Sequence, residues 1–223
     1  MIVVVGAGIA GLCAALAAAG DERLGGEGLA DGGRASITGD GGRRSCQVLL
    51  VCKDEFVESN TYHAQGGVAT AIFDDDSPAL HAADTMAAGH GLCDRTAVGI
   101  LTDEGARRVR ELIGDGWHVD RDGEGHVLRG LEAAHCRSRV VHAGGDATGK
   151  VLELDVSAMV KTNPNITVLE HAFLNDVLVR DGRVTGVRLA VRDARNGVET
   201  RVVDADRVVL ATGGAGRLYP YTT

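Results

Sequence analysis

Met1-Ile2-Val3-Val4-Val5-Gly6-Ala7-Gly8-Ile9-Ala10-Gly11 opens the chain and decides its architecture. The first five residues are a short apolar, β-branched run, the pattern of a strand covered on both faces in a parallel sheet. Gly6 to Gly11 follow as G-x-G-x-x-G, and Leu12 to Ala19 read as an alanine-rich helix closed by Gly20. On its own the glycine spacing is a weak signal; between a strand and a helix it predicts a dinucleotide site. The first glycine permits a tight turn, the second lets the backbone approach a pyrophosphate, and the third allows close helix packing, while the helix N-terminus attracts negative charge. Gly6, Ala7, Gly8, Ile9, Ala10 and Gly11 are therefore candidate cofactor-binding residues.

Working outward, Asp21 to Ser45 turn to glycine, aspartate, arginine and serine with no apolar period, which predicts a solvated, mobile and dispensable insertion. Gln47 to Cys52 supply a second buried strand, and a parallel pairing with the first requires a right-handed crossover. An acidic residue is expected at the end of that strand to hold a ribose hydroxyl. Lys53 stands there, followed by Asp54 and Glu55, a departure from the plain NAD pattern that leaves Asp54 to serve if the strand ends one residue later.

His81 to Ala88, Asp103 to Ile113 and Lys150 to Lys161 have helical patterns, the last ended by Pro164, and Asp120 to Gly125 form a polar turn. Thr167 to Glu170, Val177 to Val179, Val184 to Val191 and Thr200 to Val203 read as a strand followed by a small antiparallel meander, and Val208 to Leu210 as a last buried strand. The predicted fold is α/β: a Rossmann-like, doubly wound parallel sheet with an antiparallel meander. One domain is expected to occupy residues 1–223.

A chain of 223 residues with 44% hydrophobic content can bury a core of its own. The net charge of -8 argues against nucleic acid, whose affinity comes from lysine and arginine replacing counterions. The apolar start is interrupted by glycines and lacks a basic leader, so neither a membrane span nor a signal peptide is predicted. Five cysteines without metal spacing suit a reducing compartment, and the cytoplasm is the expected one. His81, His90, His118, His126 and His171 have no partners at ligand spacing, and Asp74-Asp75-Asp76 lacks the alternating donors of a calcium loop, so no metal is expected.

Asn60-Thr61-Tyr62-His63-Ala64-Gln65-Gly66-Gly67 resembles the S-T-x-x-A-Q-G-G segment of the succinate dehydrogenase, fumarate reductase and L-aspartate oxidase superfamily, which wraps the flavin and its diphosphate. Ala88-Gly89-His90-Gly91-Leu92-Cys93-Asp94 looks like the A-G-x-G-L-C-D segment of the aspartate oxidases. His142-Ala143-Gly144-Gly145-Asp146-Ala147-Thr148-Gly149 is similar to their H-A-x-D-A-T-G, with one extra residue. The run from Val208 to Thr223, with Thr212, Gly213 and Gly214 at its turn, resembles the strand and turn that complete the FAD site. Phe173 and Leu174 join the cofactor-binding set that the resemblance implies. Respiratory members of the superfamily carry S-H-T with the histidine covalently joined to the flavin. Asparagine stands at position 60 here, which implies non-covalent FAD and leaves His63 as a loop residue.

Leu131-Glu132-Ala133-Ala134-His135-Cys136 falls on the family's R-E-G-G-H-S, so the resemblance implies that Glu132 faces the substrate's amino group, with His135 on the histidine; both are the candidate catalytic residues. Leucine replaces the arginine and two alanines replace the glycines. The implied reaction is FAD-dependent oxidation of L-aspartate to iminoaspartate for quinolinate and NAD synthesis, with oxygen or fumarate as electron acceptor and quinolinate synthase as a coupled enzyme. Two rivals stand beside it: a fumarate reductase or succinate dehydrogenase flavoprotein subunit, and a non-catalytic dinucleotide-binding module. By resemblance the catalytic arginine and histidine, and most of a capping domain, are expected beyond Thr223, leaving this chain alone with little or no activity.

Overall fold

In a computed structural model, residues 1–20, 46–193, 197–215 and 218–221 are described; the glycine-rich segment from Asp21 to Ser45, predicted as an insertion, lies outside the described residues. In chain order the elements are β1 (Ile2–Val5), α1 (Ile9–Ala18), β2 (Val48–Val51), β3 (Val68–Ala69), α2 (Pro78–Ala88), α3 (Arg95–Gly114), β4 (Arg129–Gly130), β5 (Val140–Val141), α4 (Thr148–Thr162), β6 (Ile166–Leu169), β7 (Ala172–Arg180), β8 (Arg183–Arg192), β9 (Val198–Asp204) and β10 (Arg207–Leu210). They divide into two compact units, one formed by Met1–Tyr62 with Val156–Thr223, the other by His63–Asp155.

The first unit is built on a four-stranded sheet in the order β10-β1-β2-β6, every pair parallel. Short β-branched strands suit this position because a parallel sheet is covered on both faces. Val3, Val5 and Val51 pack with Ala172, Val187, Leu189 and Val191 of the antiparallel sheet β7-β8-β9, so the meander covers one face. Val4 and Leu50, paired in register and wholly buried, point to the other face by the two-residue period of a strand. The helix α1 lies against β1, β2 and β10 and buries Leu12, Ala15 and Leu16 completely. Each buried leucine contributes about 1.5–3 kcal/mol relative to exposure.

The second unit contains α2, α3 and a small antiparallel sheet in the order β3-β5-β4. Ser77 caps α2 by accepting the Leu80 amide at 3.2 Å, with Pro78 in the first turn; Asp94 caps α3 by accepting the Ala97 amide at 2.8 Å. The sequence pattern predicts only the second half of α3. Its buried stripe of Val98, Thr102, Ala106 and Val109 runs from the start, but exposed Ile100 and Leu101 interrupt the apolar period there. The strands β3, β4 and β5 are two residues each, too short for any alternation to show. Among the described residues no helix is long and apolar enough to cross a membrane.

Candidate functional site

The three glycines of the opening turn are required for three different reasons. Gly6 has φ +109, and a Cβ there would fall 2.1 Å from the Ala211 carbonyl oxygen. A Cβ on Gly11 would lie 1.7 Å from the Gly6 carbonyl oxygen, so this glycine lets α1 close on the turn. Gly8 differs: its Cβ would meet only the Thr61 hydroxyl at 3.3 Å and Ser59 Cβ at 3.8 Å. The backbone at Gly8 is thus bare towards open space, the form a site takes when a large ligand must reach it. No side chain of its own caps α1, and the Ile9 amide instead donates to Thr61 Oγ1 at 3.1 Å.

A cleft of about 650 Å³ opens at the carboxyl ends of β1, β2 and β10. Gly6, Ala7, Gly8, Ile9, Ala10, Lys53, Asn60, Thr61, Phe173, Leu174, Thr212 and Gly213 all line it. That is where open parallel sheets bind ligands, and the first-turn amides of α1, which have no partner four residues back, face such a site by construction. The bare backbone at Gly8, the helix N-terminus and the cleft together fit the diphosphate of a dinucleotide. Gly11 sits behind the turn, Gly214 is exposed and outside the lining, and Arg217, Thr222 and Thr223 of the final motif lie outside the described residues. A larger groove of about 1060 Å³, lined by Met1, Arg183–Thr185 and Asp204–Val209, lies at the amino ends of β1 and β10, away from the glycine turn.

Cys52, Asp54, Glu58 and Ser59 also line the cleft. Asp54 is the alternative the sequence leaves open; the others carry no motif signal beyond lying next to β2 and the Asn60-Thr61 pair. Burial, followed by the charges of Glu170, Asp54 and Glu55, pushes the Cys52 thiol up to about 12. The floor of the cleft is therefore a neutral thiol.

Within the second unit, His63, Ala64 and Gln65 are exposed, and the Ala64 to Gly67 stretch is tied to the His142 to Gly149 segment. The Gly149 amide donates to the Ala64 carbonyl at 3.1 Å, and Thr148 Oγ1 donates to the Gly66 carbonyl while accepting the Ala143 amide at 3.2 Å. A Cβ on Gly67 would fall 2.4 Å from Val140 Cγ1, so β5 leaves room for glycine alone. Tyr62, the last residue of its stretch in the first unit, donates its amide to Ser59 Oγ at 3.1 Å. The extra residue in His142-Ala143-Gly144-Gly145 is absorbed by two successive left-handed glycines, φ +61 and +72, whose amides donate to the two carboxylate oxygens of Asp120 at 2.8 and 3.0 Å.

Glu132 is exposed, with Oε1 4.0 Å from His142 Nε2, and its carbonyl accepts the His135 amide at 3.3 Å. Between them Ala134 has φ +68, a conformation that glycine adopts freely and alanine does not. The backbone turn thus keeps a glycine-like shape at the second of the two alanines. Arg139 and Asp84, which contact His135 and Cys136 of this turn, escape a sequence reading because an isolated arginine in Arg137-Ser138-Arg139 forms no pattern. No group of three or more histidine, cysteine, aspartate or glutamate side chains that could hold a metal occurs among the described residues.

A family model described as FAD binding domain matches residues 26–223. Curated relatives include the L-aspartate oxidase of Caulobacter vibrioides, 42% identical over 99% of this chain, and that of Streptomyces coelicolor, 38% identical over the whole chain. The L-aspartate oxidase of Xylella fastidiosa is 37% identical over 99% of it. The chain spans 34–38% of the length of these relatives. Among solved structures, an E. coli quinol fumarate reductase superposes with a TM-score of 0.80 at 29% identity, covering 99% of this chain and 33% of that one. The Mycobacterium smegmatis Sdh1 complex superposes with a TM-score of 0.76 at 26% identity, over 97% of this chain and 34% of that one.

Proposed function

Because the chain belongs to the FAD binding domain family, we propose that the full-length protein is an FAD-dependent L-aspartate oxidase, converting L-aspartate to iminoaspartate. Bound FAD supplies the two-electron acceptor for the hydride that leaves the α-carbon. The chain's own residues do the rest. Gly6 to Gly8 and the α1 N-terminus hold the diphosphate, Thr61 fixes the first amide of α1, and Lys53 or Asp54 takes the ribose. Phe173, Leu174, Thr212 and Gly213 give the cofactor its walls. The FAD is held non-covalently, since asparagine occupies position 60, and acid precipitation is expected to leave the flavin in solution.

Glu132 is the observation that carries the choice of substrate: an exposed carboxylate, with His142 Nε2 at 4.0 Å, on a turn whose family counterpart faces an amino group. Opposite charge attracts the ammonium of L-aspartate and gives nothing to succinate. The relatives at 37–42% identity support the same choice. The product imine hydrolyses in water, so quinolinate synthase is the fitting consumer, and fumarate or oxygen reoxidises the cofactor. The five cysteines form no disulfide among the described residues, in keeping with a cytoplasmic protein. The second reading, a fumarate reductase or succinate dehydrogenase flavoprotein subunit, draws on the superposition with quinol fumarate reductase. Assay of the full-length protein separates them. Oxidation of L-aspartate, with a KM raised roughly tenfold to a hundredfold in Glu132→Gln by loss of a charge-assisted hydrogen bond, is expected. Oxidation of succinate without L-aspartate would overturn the proposal.

A further inference from the structure

The second unit buries a complete arginine side chain. Arg139 is 0% exposed, and an ionised guanidinium in that position must be paired on every side. Asp76 takes two of its donors, Nε at 2.8 Å and one terminal nitrogen at 2.9 Å. Asp84 takes the other terminal nitrogen at 2.8 Å, and the same Asp84 oxygen accepts the Cys136 amide at 2.9 Å. That second nitrogen also lies 3.3 Å from Nδ1 of His135, and Cys136 Sγ lies 3.7 Å from the first.

A guanidinium has donors only. In its contact with His135 the imidazole Nδ1 must therefore be the acceptor, which leaves the proton of the neutral ring on Nε2. We propose that Arg139 is a positioning residue that fixes His135 as its Nε2–H tautomer and, through Asp84, holds the turn from Glu132 to Cys136 in its strained form. Ala134 supplies the independent sign: an alanine at φ +68 persists only where its surroundings over-determine the backbone, and here the two residues that follow it are both held, His135 by Arg139 and Cys136 by Asp84, while the His135 amide closes the turn on the Glu132 carbonyl at 3.3 Å. His135 consequently presents a hydrogen-bond donor and not a base on the turn that carries Glu132. Its bearing on substrate rests on the function proposed above for Glu132; the tautomer does not.

The test is a long-range proton–nitrogen correlation spectrum of the full-length holoprotein containing ring-labelled histidine, with His135→Gln identifying the signal. At neutral pH His135 is expected with a protonated Nε2 and a bare Nδ1. In Arg139→Lys, which keeps the charge but loses the fork, the signal is expected to move towards a mixture of tautomers, and KM for L-aspartate to rise with kcat unchanged, the mark of lost uniform binding. A protonated Nδ1 in the unsubstituted protein would overturn the inference, even if Arg139→Lys does not fold. So would an unchanged His135 signal in a folded Arg139→Lys protein. If the tautomer is as stated but L-aspartate is not a substrate, the proposed function falls and the positioning role stands.

Discussion

Thr61 Oγ1 accepts the Ile9 amide at 3.1 Å across 52 residues of sequence, so the first turn of α1 is capped from the loop that follows β2 and not from its own N-cap, Gly8. A glycine at that position keeps the side towards the cleft bare but offers no capping oxygen, and the distant hydroxyl supplies one. Thr61→Val keeps the volume and removes the acceptor. It is expected to cost about 1 kcal/mol in urea unfolding, the size of a lost cap, whereas Thr61→Ser stays near the parent. Equal stability of the two variants would show that this bond does not cap the helix.

Gly8 and Gly11 should separate binding from folding. Gly11→Ala places a methyl 1.7 Å from the Gly6 carbonyl oxygen, and overpacking against backbone costs about 1–3 kcal/mol or more. Its melting temperature should drop with or without FAD. Gly8→Ala meets the Thr61 hydroxyl at 3.3 Å and Ser59 Cβ at an ordinary 3.8 Å, so the apoprotein should melt close to the parent while FAD no longer raises its melting temperature. A Gly8→Ala protein that still gains stability from FAD would place the diphosphate elsewhere.

How far the sequence reached depended on whether a feature was local. β1, α1 and β2 are legible because a buried strand, a glycine turn and an alanine-rich helix each have their own short-range pattern. The meander is legible because Asp181-Gly182 marks the turn between β7 and β8, both residues having positive φ. What stayed hidden is relational. Thr61 as a helix cap, Asp120 as the anchor of Gly144 and Gly145, and Arg139 beneath His135 join residues that no spacing rule connects. The sheet of β3, β4 and β5 was hidden for another reason, since two-residue strands take their identity from their partners.

Ala134 offers a gain in stability. An L-residue in the left-handed region costs about 1–2 kcal/mol, and the extra freedom of glycine in the unfolded chain returns roughly 0.4–1 kcal/mol of that. Ala134→Gly is therefore expected to stabilise the protein by about 0.5–1 kcal/mol, read from the midpoint of chemical unfolding. Destabilisation would mean that the alanine methyl packs usefully and that the positive φ is not strained.

The buried cluster predicts loss of stability on acidification, in two stages. Burial, and after it the charge of the Arg139 guanidinium, holds His81 below its ordinary value of 6.5. The unfolded chain therefore takes the proton first, and this contribution is complete above pH 6.5 and declines as pH falls below it. The Cys136 amide, and after it Arg139, holds Asp84 below 3.8, so its share persists until more acid pH and goes as pH falls from 3.8 through the folded value. His81→Gln should flatten the first stage in a series of melts and leave the second. A protein as stable in mild acid as at neutral pH would contradict the first stage.

Cys52 predicts the opposite behaviour in alkali. Its thiol is buried at the end of β2, donates weakly to the Leu169 carbonyl at 3.7 Å, and is pushed from 9.0 to about 12 by burial and then by Glu170, Asp54 and Glu55. A raised acid keeps its proton longer in the folded state, so this contribution is whole below pH 9.0 and is lost as pH climbs towards 12. The thiolate is the nucleophile, and Cys52 has almost none at neutral or mildly basic pH. Iodoacetamide at mildly basic pH should alkylate exposed Cys136 and leave Cys52 intact, as read by peptide mass spectrometry, until denaturant is added. Equal labelling of the two in the native protein would mean that the cleft floor is open to water and its thiol ionised.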